Sequence, residues 1–329
     1  MESPAITSTG KYPEIFILNP SFRSWKLFIL IASYSFLAYK LLTFHQYEDI
    51  ALQLKQMPVS HMWWLAGIFT LLPFNWYFEA LKWKMLTSQV QKITVSISIK
   101  AVLSGIATGF FTPNRVGEMV GRIAFLDPSN RKPGITLSMV NSLTQNMVMA
   151  LCGIPACVLF FSVTAGKLQP DIAQFVILVT GCVIITGLLY FTLPRLTRIL
   201  EKSRFSGKIS PFIDCLSRYN LKDLFRIMGV SFIRYAVFCV QFYFMIRFFS
   251  IELTPWQALV AIPTSYLFVT FTPSLAFSEA AIRSSYAVLI IGAFSGQVVN
   301  IALAGVCIWV INFVIPMLAG SVAMVKEKA

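Results

Sequence analysis

A polar, proline-containing break inside an apolar run restricts a chain severely, because in hydrocarbon every backbone N–H and C=O must find its partner within the protein. This sequence has two such breaks. The first is Thr108-Gly109-Phe110-Phe111-Thr112-Pro113-Asn114-Arg115-Val116-Gly117-Glu118-Met119-Val120-Gly121-Arg122. About 160 residues later the theme returns as Phe271-Thr272-Pro273-Ser274-Leu275-Ala276-Phe277-Ser278-Glu279-Ala280-Ala281-Ile282-Arg283. Each carries Phe-Thr-Pro, then a Glu, then an Arg four positions on. The match predicts an internal repeat, and broken helices at corresponding places in two halves point to a binding site near the membrane midplane.

The surroundings fix the solvent. With 57% hydrophobic and 12% charged residues and a mean hydropathy of +0.71, the chain has too few charges to cover a soluble surface, and it reads as a polytopic membrane protein. A net charge of +13 would suggest nucleic acid in a soluble protein. Here most Lys and Arg lie between apolar runs, where they orient spans and meet anionic lipid, so no nucleic-acid partner is expected. The six cysteines are scattered without a CxxC pair and read as small apolar filler. Neither a metal nor another cofactor is expected.

Hydropathy and charge together predict an all-α integral membrane protein with about six transmembrane helices plus two re-entrant broken-helix hairpins, arranged as an inverted repeat. The expected spans are about 25–44, 63–86, 135–161, 172–193, 227–249 and 298–318, and the hairpins lie near 101–126 and 258–291. The first half is about 25–194 and the second about 227–320, joined by a basic linker at about 195–226 with interfacial amphipathic helices. This layout gathers most of the 27 Lys and Arg on one side, the cytoplasmic face of a plasma (inner) membrane, together with both termini. The N-terminus lacks the basic and short apolar regions of a cleaved secretory signal, so it is expected to be retained.

The breaks carry the candidate chemistry. Thr112 as N-cap with Pro113 at the first helical position would start a helix aiming unpaired N–H groups into the protein, an anion site. Arg115 adds a guanidinium fork suited to phosphate. Gly117 and Gly121 leave one helix face bare, so that a backbone or a bulky head group can approach. Glu118 and Arg122 can pair at i, i+4, either offsetting charge in an empty site or simply locking the hairpin. Glu279 and Arg283 are their counterparts in the second break.

Three other helices offer polar faces. Asn75, Glu79 and Lys82 fall at i, i+4 and i+7, either lining a substrate path or forming a Glu79–Lys82 pair that ties helices together. Ser138, Asn141, Ser142 and Gln145 form a stripe suited to helix–helix hydrogen bonds or to the wall of a head-group cavity. Arg234 shares a face with Gln241 and lies too deep to be dismissed as a boundary charge, the alternative being that it snorkels toward the cytoplasm.

The run Thr112-Pro113-Asn114-Arg115-Val116-Gly117-Glu118, with Arg122 beyond it, resembles the first signature of the flippase-like membrane domain found in lysylphosphatidylglycerol synthases and in stand-alone relatives. Phe271 to Glu279 resembles the second signature, which in the family is glycine-rich before the Glu, where this chain has Ser274-Leu275-Ala276-Phe277-Ser278. The resemblance covers the whole chain, without the aminoacyl-transferase domain of the bifunctional synthases. It implies translocation of a lipid or lipid-linked head group between leaflets, the partners being anionic or phosphate-bearing membrane lipids. The competing class is an integral membrane enzyme, or an accessory subunit, acting on a phospholipid or polyprenyl phosphate. Against an enzyme, His45 and His61 fall in an external connection, no DDxxD cluster appears, and no Ser, His, Asp or Cys, His set shares a span.

Overall fold

The computed structural model describes residues 58–165, 170–201, 212–274 and 276–326, together with Ile31 and Ser35, and every element among them is helical. The helices are α1 (Met62–Thr87), α2 (Val95–Gly109), α3 (Glu118–Ile123), α4 (Arg131–Ala165), α5 (Pro170–Glu201), α6 (Leu221–Phe248), α7 (Pro255–Phe271), α8 (Ala276–Ile291), α9 (Val298–Trp309) and α10 (Ile315–Lys326). A π turn, Val310–Val314, joins the last two. The first expected span, at 25–44, lies outside the described residues, as does the 202–211 part of the basic linker.

Local chemistry sets where helices begin. The Thr94 hydroxyl caps α2 by accepting the Ile97 N–H at 3.3 Å. Asn220 and Asp223 cap α6 reciprocally, at 2.9 and 3.3 Å. Thr254 and Gln257 do the same for α7, with Pro255 at its first position. Each box satisfies two backbone donors that would otherwise be orphaned.

Among the described residues, four stretches are long and apolar enough to cross a membrane: Pro128–Thr164, Pro170–Ile199, Leu221–Phe248 and Val298–Met324. They correspond to four of the five expected spans that fall within the described residues, the exception being 63–86. α1 has the length, 26 residues, but Asn75, Glu79, Lys82 and Lys84 make it too polar to count by composition. Large apolar side chains such as Ile177 and Leu178 on α5 are exposed, as a surface toward lipid requires.

The packing explains that polarity. α1 lies along α6, α4 along α7, and α2 against both α3 and α10. The buried apolar residues form two large clusters, and the change from one to the other falls at the same level on three elements. It lies between Leu72 and Ala80 on α1, between Ile227 and Tyr235 on α6, and near Trp309 on the last span. Asn75 and Glu79, Arg234 and Asn312 sit at that change. A polar layer therefore separates two apolar cores.

Glycine brings the first break together. A Cβ on Gly121 would stand 2.4 Å from the Ser104 carbonyl oxygen, and one on Gly117 would stand 2.5 Å from that of Thr108. The bare face predicted at these residues is thus filled by the α2 backbone and leaves no room there for a head group. Gly121→Ala must push α3 off α2, so it should lower stability by about 1–3 kcal/mol, read as a lower melting temperature in detergent. A variant melting with the wild type would show that the contact gives way freely.

Candidate functional site

The first break does not begin a long helix. Pro113–Arg115 form one 3-10 turn in which Asn114 and Arg115 have φ values of 47° and 60°. Two consecutive left-handed residues stop helix propagation, and asparagine tolerates that region better than most residues. α3 starts only at Glu118 and has six residues. Thr112 is extended, but its hydroxyl accepts from the Gly117 N–H at 2.8 Å and donates to the Gly109 carbonyl at 3.0 Å. The expectation of a helix N-terminal anion site at Thr112 and Pro113 is therefore corrected: the N–H groups of Arg115, Val116 and Gly117 bond within the turn, and that of Asn114 bonds the second break.

The second break meets the first. The Asn114 N–H donates to the Ser274 carbonyl at 3.0 Å, and the Ser274 N–H donates to Asn114 Oδ1 at 3.0 Å. The two segments that matched in sequence thus bond reciprocally, one way between main chains and the other through the Asn114 side-chain oxygen. Thr272 in turn shares a hydrogen bond with the Tyr286 hydroxyl at 2.9 Å, which ties the second break to α8.

Around this junction lies one charged network. Glu79 stands at its base, 2.7 Å from Arg122, 3.0 Å from Lys82 and 3.0 Å from Arg234, and it accepts from Asn141 at 2.7 Å. Glu79, Lys82 and Arg122 are at most 2% exposed. Glu118 bridges Arg122 at 2.9 Å and Arg115 at 3.5 Å. Glu279 holds Arg283 at 2.8 Å and faces Arg115 at 3.9 Å. The guanidiniums of Arg115 and Arg283 both stack on the Phe313 ring, 4.0 and 4.6 Å from its centroid. Five cations thus share three carboxylates.

The network borders a cavity of about 450 Å³. Of the residues singled out from sequence, Glu79, Arg115, Glu118, Arg122, Asn141, Gln145, Arg234, Glu279 and Arg283 line it. Asn75 stands behind this wall, accepting from Arg234 at 2.9 Å and donating to Asn312 at 3.2 Å. Thr112, Pro113 and Gly117 do not line the cavity. Lys82 lies beneath, donating to Gln145 and to the Asn141 carbonyl, each at 3.3 Å. Three buried guanidinium nitrogens, Nη2 of Arg115 and Nε and Nη1 of Arg122, have no hydrogen-bond partner.

Sequence reading missed Asn114, Asn312 and Phe313. Asn312 had a signal, being the amide deep inside the apolar run 298–318, whereas Asn300 stands near the start of that run. Phe313 had none, since an aromatic in such a run is ordinary. The π turn at Val310–Val314 is where both side chains reach the cavity. Among the described residues no three His, Cys, Asp or Glu side chains are grouped to hold a metal ion. What the cavity wall offers is guanidinium donors, with the Lys82 ammonium held beneath it.

An all-helical chain with several apolar spans and a charged internal cavity is a multi-pass membrane protein built around a polar site. The chain belongs to the family described as the lysylphosphatidylglycerol synthase TM region, whose model matches residues 25–320. No curated protein and no solved structure gives a significant match.

Proposed function

We propose that the protein is a flippase-like transporter that carries an anionic lipid, or a lipid-linked head group, between the leaflets of the plasma (inner) membrane. The observation that carries this reading is the cavity at the meeting of the two breaks, where four lining guanidiniums, with the Lys82 ammonium beneath them in the same ion-pair network, outnumber three carboxylates. Excess buried positive charge is costly unless an anion completes it. Family membership supports lipid as the substrate class. In this reading the breaks belong to two re-entrant hairpins entering from opposite faces, the halves form an inverted repeat, and both termini are cytoplasmic. The head group occupies the cavity while access alternates and the acyl chains stay in lipid.

The test is transfer of head-group-labelled lipids across reconstituted vesicles, with phosphatidylglycerol as the anionic probe and phosphatidylcholine as the zwitterionic one. Protein-dependent transfer of the anionic probe is expected. Conversion of the lipid to a new species without transfer would favour the enzyme, and neither result would favour an accessory subunit. Arg115 is the most exposed cation of the network, at 27% of its side chain. Arg115→Lys keeps the charge but loses the planar fork and the stacking on Phe313, so transfer should fall by about tenfold or more, a loss of about 1.4 kcal/mol. Unchanged transfer would remove Arg115 from the site.

A further inference from the structure

The network's charge count and its unused donors together specify the kind of anion. Lys82, Arg115, Arg122, Arg234 and Arg283 are linked through ion pairs to Glu79, Glu118 and Glu279, leaving two positive charges uncompensated. Two uncompensated charges in a largely buried layer demand a counterpart of matching size, because water cannot screen them fully there. The residues that carry unused donors border the cavity where that counterpart would sit. Arg122 is 2% exposed, yet its Nε and Nη1 have no partner, and neither does Nη2 of Arg115. Both residues line the same cavity. Guanidinium nitrogens left bare in this way are expensive unless a ligand supplies oxygens.

We infer that the ligand is a lipid whose head group carries at least two negative charges in one compact phosphate unit, a phosphomonoester with about two or a diphosphate with about three, rather than a phosphodiester with one. A terminal phosphate presents three strong acceptor oxygens, matching the three unpartnered nitrogens in number. A phosphodiester presents two unesterified oxygens and a single charge, which leaves one donor and one cation unanswered. This inference rests on the cavity being a lipid head-group site, as proposed above, and adds the charge and the phosphate type.

The experiment measures binding by thermal shift in detergent and transfer in vesicles at about pH 7, where a phosphomonoester is mostly doubly charged, using phosphatidic acid, a polyprenyl diphosphate, phosphatidylglycerol and phosphatidylcholine. At least one of the first two should half-saturate at a concentration about tenfold or more below that of phosphatidylglycerol, and their ratio tells monoester from diphosphate. Phosphatidylglycerol binding as tightly as both would overturn the two-charge inference while leaving anion transport standing. All three anions behaving like phosphatidylcholine would instead remove the transport reading itself. Two charge variants give an independent arm. Arg283→Gln lowers the excess by one and should narrow the preference for the doubly charged lipid. Glu118→Gln raises it by one and should widen that preference. If either variant fails to fold, Arg115→Gln serves in place of Arg283→Gln. A preference that stays constant across the folded variants would also overturn the inference.

Discussion

Glu79→Gln should destabilise the protein by about 3–5 kcal/mol, the usual consequence of stripping a buried charge network of its counter-ion. One carboxylate at this position faces Lys82, Arg122 and Arg234 within 3.0 Å. The amide that replaces it still accepts from Asn141, so shape and packing survive while the charge goes. A charge-conserving double variant, Glu79→Gln with Lys82→Met, separates the electrostatic part. It removes one buried cation along with the anion and should melt well above the single variant, with a coupling of about 1–3 kcal/mol in the double-mutant cycle. Lys82 is the right partner because it is fully buried and lies beneath the cavity wall. A single variant within about 1 kcal/mol of the wild type would mean that water in the cavity hydrates these cations well enough to replace Glu79.

The same residue shows how far a sequence can be read here. Asn75, Glu79 and Lys82 share a helical face at i, i+4 and i+7, and all three are buried, so the face was legible from spacing alone. The i, i+4 pairs were legible in the same way, Glu118 with Arg122 at 2.9 Å and Glu279 with Arg283 at 2.8 Å. Local geometry fixes such pairs, and the sequence states local geometry directly. The convergence of Arg122 and Arg234 on Glu79 is different, because it brings α3 and α6 to α1 across many intervening residues. Nothing in the spacing says which distant cation a buried carboxylate will meet.

The first break shows the limit from another side. Thr112-Pro113 has the composition of a helix start, yet the two left-handed residues after it redirect the chain, and tertiary bonds to Ser274 hold them there. A local rule gave way to a contact between repeats. Gly117 and Gly121 tell the same story, since the face they leave bare meets the carbonyls of α2. The sequence left open whether a backbone or a head group approaches there, and it is backbone.

The reciprocal bonds between Asn114 and Ser274 lead to the second large effect. If transport requires the two breaks to move apart, joining them covalently should stop it. The expected result is that Asn114→Cys with Ser274→Cys, made in a background lacking the six native cysteines, transfers lipid when reduced and falls to the protein-free rate when oxidised, with recovery on adding reductant. The Asn114 N–H bonds the Ser274 carbonyl at 3.0 Å, which brings the two backbones within the range a disulfide can bridge, while the return bond, to the Asn114 side-chain oxygen, is given up in the cysteine variant. Asn114 adopts φ 47°, where cysteine is less comfortable than asparagine by about 1–2 kcal/mol, so the reduced variant is the proper reference for activity. Head-group binding should persist in the oxidised protein, because Arg122, Arg234 and Glu79 lie on other elements and keep their contacts. Loss of transfer with retained binding would identify the junction as a gate that must open during each cycle. Transfer at the same rate before and after oxidation would make it the fixed pivot instead, and the moving surface would then have to be sought between α1 and α6 or between α4 and α7.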